Sequence, residues 1–202
     1  MDNIISGELL KKAYTYGSYK QILEEETNNY KPSGSKNDRL VEFTKLNLLR
    51  MIRIEKTIII KEEVILKIKS INRKIILLII AEGWCGDVAQ NLPVINAMAE
   101  LNPNIELKII FRDENPELMD RFLTNGTRSI PVVILIDKDK PEVLSKWGPR
   151  PSPAQDIMVK WKQRKDYDHD KAVKDIQLWY LEDSGNTIQE EFSGIFAKIL
   201  SR

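Results

Sequence analysis

The stretch Ile75 to Val88, IILLIIAEGWCGDV, constrains this chain more than any other. Ile75 to Ile80 are all isoleucine or leucine, set between Arg73-Lys74 and Glu82-Gly83. A run this short, with no polar residue, suits a strand covered on both faces, because a half-exposed strand would alternate. Helical spacing resumes from Gly86, so Cys85 falls between the carboxyl end of a strand and the start of a helix. Unpaired backbone N–H groups and the positive end of the helix dipole meet at such a point and favour an anion. A thiolate is such an anion, and it is the reactive form of cysteine. Asp87 works in the opposite sense: its carboxylate suits a helix N-terminus but repels a thiolate.

Ahead of the strand, residues 4 to about 28 read as a first helix, with Ile5, Leu9, Leu10, Ala13, Ile22 and Leu23 at helical spacing. Residues 28–37, NNYKPSGSKN, read as a loop, after which Asp38 can cap a second helix over Arg39 to Lys56. That helix is apolar on two stripes, Leu40/Phe43 and Val41/Leu48/Met51/Ile52, and so wide an arc packs on the rest of the protein or on a partner. Asn47 and Arg50 lie three apart on it and could reach toward Cys85, although a surface or interhelix contact is the simpler reading. Lys61 to Ser70 reads as a short amphipathic helix.

After Cys85, Val88, Leu92, Ile95, Met98 and Ala99 mark one helix face, with Pro93 inside the helix, where proline removes a hydrogen bond and kinks the axis. Ile105 to Phe111 reads as a second strand, and Asn115-Pro116-Glu117 opens a helix with Leu118, Phe122 and Leu123 as its apolar face. Val132 to Ile136 and Val143 to Trp147, joined by the turn Asp137 to Lys140, read as an antiparallel hairpin. Helices then cover Ser152 to about Lys165, Lys171 to about Glu182, and Ile188 to about Leu200, the last opened by the capping-box spacing of Thr187 and Glu190. Asp166, Asp168, His169 and Asp170 read as acidic turn and cap residues rather than metal ligands, because the chain has no second histidine.

Charge and cysteine content remove several function classes. The 31 basic and 30 acidic residues leave a net charge of +1. Residues 1–80 carry 15 Lys+Arg against 10 Asp+Glu, but the acids are interspersed, so this half reads as solvated helix faces and no nucleic acid is expected. A single cysteine makes no internal disulfide, in keeping with a reducing cytoplasm, and one Cys with one His builds no structural zinc site. Residues 1–17 lack a basic segment ahead of a long apolar run, and Ile75 to Ala81 is too short to span a bilayer, so neither secretion nor a membrane is expected.

The order of elements from about Ile75 to Lys165 resembles the thioredoxin superfamily. Trp84-Cys85-Gly86 is similar to the start of that family's W-C-G-x-C motif, and Pro93 falls where its active-site helix is kinked. Ser129-Ile130-Pro131 resembles the cis-proline loop that faces the reactive sulfur, and Gly148 lies where a glycine lets a partner approach. The wording E-G-W-C-G-D with R-D-E-N, S-I-P and W-G-P-R-P is similar to that of bacterial thioredoxin-like proteins. The resemblance implies an α/β thioredoxin-like fold over residues 73–165, a four-stranded mixed sheet flanked by helices. Residues 1–72 are expected to form an N-terminal helical extension and residues 166–202 C-terminal helices packed on the same domain. It also implies Cys85 as nucleophile, with Trp84, Gly86, Asp87, Ile130, Pro131 and Gly148 around the substrate, and no metal or cofactor.

Two departures bear on chemistry. Val88 stands where the family has its second cysteine, and Ile79 where it has a buried carboxylate. A dithiol enzyme releases its substrate by intramolecular attack of the second thiolate, which Cys85 alone cannot provide. Turnover would therefore be monothiol, with an external thiol or thiol-bearing protein completing the cycle. The other reading is a binding or adaptor module that has lost catalysis and holds a protein partner.

Overall fold

The computed structural model describes residues 5–30, 36–140 and 142–201. The helices and strands, in chain order, are α1 (Gly7–Lys12), α2 (Tyr16–Asn29), α3 (Lys36–Thr57), α4 (Glu62–Lys69), β1 (Ile75–Ala81), α5 (Gly86–Ala99) and β2 (Ile105–Phe111). They continue with α6 (Pro116–Arg121), β3 (Val132–Asp137), β4 (Val143–Trp147), α7 (Ser152–Lys162), α8 (His169–Asp183) and α9 (Asn186–Leu200).

The sheet has the order β2-β1-β3-β4. β1 pairs in parallel with β2, aligning Ile75 with Ile105 and Ala81 with Phe111. β3 runs antiparallel to β1, and β4 antiparallel to β3. This is the four-stranded mixed sheet that the resemblance implied. β1 occupies a central position and every one of its residues is buried, which explains why its sequence carries no alternation. Burying each Leu or Ile side chain contributes about 1.5–3 kcal/mol before the entropy of ordering is subtracted.

β2 lies at the sheet edge and buries only part of its side chains. Its outer backbone groups are met by Tyr14, whose N–H donates to the Ile109 carbonyl at 2.8 Å and whose carbonyl accepts from the Ile109 N–H at 2.8 Å. This bridge blunts an edge that would otherwise offer itself to another chain. It also corrects the first helix expected over residues 4–28. The segment divides at Ala13 to Thr15, where the Thr15 and Ser18 side chains and backbone N–H groups cap each other and start α2 at Tyr16.

The expected loop over 28–37 falls in part, at residues 31–35, outside the described residues. α3 starts at Lys36, three residues earlier than expected, and Asp38 in its first turn accepts a hydrogen bond from the Tyr30 hydroxyl. Phe122 and Leu123 lie beyond the end of α6 rather than on its face. Nor does Thr187 open α9 with a capping box. Thr187 is already helical, and its backbone N–H and hydroxyl both donate to the Asp183 carboxylate at the end of α8.

α5 is buried along most of its length, including Pro93, between the sheet and the helices α3 and α9. α7 and α8 pack on each other around a smaller cluster of Ala154, Met158, Ala172, Ile176 and Tyr180. Asp168 caps α8 by accepting the Lys171 N–H at 3.1 Å, the cap role expected from the acidic turn. No helix among the described residues is long and apolar enough to cross a membrane.

Candidate functional site

β1 delivers Cys85 to the start of α5 through the turn Glu82 to Trp84. Cys85 is the N-cap residue, with extended backbone, and its own N–H donates to the Glu82 carbonyl at 3.1 Å. From α3, the buried Asn47 donates its Nδ2 to the Gly83 carbonyl at 2.8 Å and accepts from Arg50 Nη1 at 2.8 Å. Asn47 and Arg50 therefore reach the cysteine turn, beyond the surface or interhelix contact that was the simpler reading. The expectation failed because three-residue spacing on a helix identifies a face without identifying what that face covers.

Ile130 and Pro131 approach from the other side. The bond between them is cis, as the resemblance implied, and the Cys85 thiol donates to the Ile130 carbonyl at 3.4 Å. Gly148, just beyond β4, has φ +122, and a Cβ there would lie 2.1 Å from the Pro131 carbonyl oxygen. The space that its missing side chain leaves is thus filled by the proline loop itself. Trp84 is half-buried beside the turn, with the Arg112 guanidinium 4.8 Å above its ring. Behind it, Glu82 accepts the Asp113 N–H at 2.9 Å, and burial raises its pKa.

Asp87 is held by residues that sequence reasoning missed. Arg150 donates to its Oδ2 from Nη2 at 2.6 Å and from Nε at 3.0 Å, with both side chains largely buried. The Tyr180 hydroxyl donates to Oδ1 at 2.9 Å and accepts from Asn91 Nδ2 at 2.8 Å. Alongside, Gln90 Nε2 donates to Gln177 Oε1 at 2.7 Å. The network ties α8 to α5. Arg150 had a signal, since it is the one charge in W-G-P-R-P, whereas Tyr180 reads as an ordinary core aromatic.

The thiol's chemistry follows from these surroundings. Cys85 is 8% exposed, and loss of hydration followed by repulsion from Asp87 pushes its pKa from 9.0 up to about 12. Backbone N–H groups of Val88 and Asp87 and the Arg150 charge pull the other way and do not prevail. At neutral pH only about one thiol in 10^5 would be ionised. Asp87 itself is shifted upward, because burial outweighs its pairing with Arg150 and Tyr180. Val88 is buried against the core, and Ile79, in the place of the family's carboxylate, is fully buried. Among the described residues no cluster of three or more His, Cys, Asp or Glu could hold a metal.

A cavity of about 530 Å³ opens next to this turn, between α3 and α8, with Trp84, Cys85, Gly86 and Asp87 in its lining. Cys85, Trp84, Gly86, Asp87, Ile130, Pro131 and Gly148 thus meet in one region. Its outer wall comes from helices on both sides of the strand-rich segment.

A family model described as Thioredoxin matches residues 34–167. No curated protein matches the chain. Among solved structures, a protein of unknown function from Pseudomonas aeruginosa is 18% identical, with 96% of each chain covered and a TM-score of 0.59. A crystal structure of an HIV epitope-scaffold is 19% identical, covering 96% of this chain and 97% of that one, again with a TM-score of 0.59. At such identities the likeness carries the fold, including the helices at both ends, and nothing about activity.

Proposed function

The chain belongs to the thioredoxin family, and from that membership we propose that it is a thioredoxin-fold binding module that holds a protein partner without a redox cycle of its own. The observation that carries this reading is the Cys85 thiol, buried, protonated and donating its hydrogen to the Ile130 carbonyl. A nucleophilic cysteine needs a thiolate, and burial together with the Asp87 charge leaves this site very little of it. Val88 in place of a second cysteine removes the intramolecular release step as well. On this reading Trp84, Gly86, Asp87, Ile130, Pro131 and Gly148 shape a surface for the partner, in a reducing cytoplasm.

The test is reduction of hydroxyethyl disulfide with glutathione, comparing the wild type with Cys85→Ser. Both chains are expected to give the same background rate. Turnover by the wild type that Cys85→Ser abolishes would replace this reading with the second one.

The second reading is monothiol thiol–disulfide exchange, and the place of the chain's only cysteine at the N-cap of α5, opposite cis-Pro131, favours it. The Cys85 thiolate would attack one sulfur of a disulfide, forming a mixed disulfide and expelling the other sulfur as a thiolate. An external thiol would then attack the mixed disulfide, restoring Cys85 and leaving a new disulfide on the substrate side.

A further inference from the structure

Arg50 stands out among the charges near the cysteine turn. Its Nη1 donates to Asn47, and among the described residues no carboxylate pairs with it. It is only half-exposed. Burial and the neighbouring Arg53 charge lower its pKa, as expected of a cation lacking a counter-ion. Leaving a partly desolvated charge unpaired is costly, and an anion is the natural remedy.

The surroundings say which kind of anion. Arg50 lines the cavity of about 530 Å³, a size ordinary for small-molecule sites. Gly86 lies at the same end: a Cβ there would come 3.8 Å from Arg50 Nη1 and 3.1 Å from Gln177 Nε2. Away from Arg50 the wall is apolar and open, with Leu40, Phe43 and Leu46 of α3 each at least 38% exposed and Val173 of α8 at 37%. Leu40 lies ten residues before Arg50, so at 1.5 Å per residue the apolar wall extends for roughly 15 Å along α3.

The other charges of the lining fit one orientation. Arg150 is already paired with Asp87. Arg39 stacks on Phe43 at 5.3 Å. Asp170 and His169 also line the cavity, but they sit in the first turn of α8, about 10 Å along that helix from Gln177. A carboxylate is therefore favoured at Arg50, and an apolar body toward Leu40 and Val173. We propose that this cavity binds a small amphipathic carboxylate, its head group on Arg50 beside Gly86 and its apolar chain along the exposed faces of α3 and α8. The proposal rests on the binding reading in one respect, that the space beside Cys85 serves a ligand rather than an incoming disulfide.

The probe is sodium decanoate, titrated calorimetrically into the full-length protein, with decanol and decylamine as neutral and cationic analogues. One-to-one binding of decanoate is expected, with both analogues at least about tenfold weaker, since a charge-assisted hydrogen bond is worth that factor or more. Arg50→Gln is expected to lose at least about tenfold. Arg50 also orders Asn47, so Phe43→Asp serves as a second variant on an exposed wall position, and it too should lose decanoate while melting as the wild type does. No binding, equal binding of decanol, or unchanged affinity in both variants would overturn the proposal. So would binding of an acidic, apolar peptide in this cavity with no affinity for decanoate. Failure of the underlying reading looks different, because disulfide turnover dependent on Cys85 would remove that reading whatever decanoate does.

Discussion

Alkylation of Cys85 by iodoacetamide gives the most direct access to the physics of this site. A shift from 9.0 to about 12 means that at neutral pH the folded chain carries about a thousandfold fewer thiolates than the unfolded chain, because each pKa unit is a factor of ten. The limited access of a residue 8% exposed slows reaction further. At pH 7 the native protein should therefore react at least about a thousandfold more slowly than the chain in urea. The pH profile then separates charge from access. A thiol titrating near 12 keeps gaining rate through pH 10, whereas a slow profile that levels off near pH 9 would report transient opening of an otherwise normal thiol. The same shift carries a stability signature with a definite sign. Between pH 9 and pH 11 the unfolded chain loses the proton that the folded chain keeps, so stability falls as pH rises, by about 2–3 kcal/mol. Cys85→Ser lacks this loss; the buried hydroxyl of Tyr180, also shifted upward, contributes equally to both chains and cancels, whereas Tyr19, raised by burial first and by a Cys85 thiolate second, loses that second part in the variant and adds to the difference in the same direction. A native rate within tenfold of the unfolded one, or a plateau at or below pH 8.5, would refute the argument that burial and Asp87 prevail over the helix N-terminus.

Four substitutions test the rest of the site by urea denaturation. Gly148→Ala forces a Cβ onto the Pro131 carbonyl at a φ of +122, and a loss of about 3 kcal/mol or more is expected. Tyr180→Phe removes the donor to Asp87 and the acceptor for Asn91, which should cost about 1–3 kcal/mol. Asp87→Asn leaves Arg150 without its counter-charge and is expected to cost about 3–5 kcal/mol, while lowering the Cys85 pKa and so speeding alkylation. Tyr19 is fully buried and its hydroxyl has no hydrogen-bond partner among the described residues, so Tyr19→Phe should be neutral or stabilising by about 1 kcal/mol, and a clear loss would reveal a partner for that oxygen.

The strands were legible because their signal is local. β1, β2 and β4 have the bounds that apolar runs and turn residues suggested, and β3 runs only one residue longer. The break between α1 and α2 escaped notice because apolar spacing continues through it. What ends the helix there is a polar pair, Thr15 and Ser18, and a bridge to Ile109 from far along the chain. Asn47 showed the same limit from the other side. Its position on α3 was readable, but its bond to the Gly83 carbonyl depends on how α3 lies over the turn.

The state of Cys85 was beyond sequence reasoning for a related reason. A helix N-terminus and a nearby carboxylate oppose each other, and the sequence supplies both without a distance or a dielectric. The outcome is fixed by distant residues: Ile130, 45 positions on, which covers the sulfur, and Arg150 and Tyr180, 63 and 93 positions from Asp87, which hold the carboxylate. Together they leave the first turn of α5 with one buried anion already in place, Asp87, satisfied by an arginine and a tyrosine. A thiolate at Cys85 would be a second negative charge, beside the first and equally cut off from water. In a dithiol member of the family the helix N-terminus has the sulfur to stabilise. Here the N–H groups of Asp87 and Val88 still favour charge on the sulfur, but burial and the Asp87 carboxylate outweigh them, so Cys85 remains a neutral hydrogen-bond donor at the edge of a cavity.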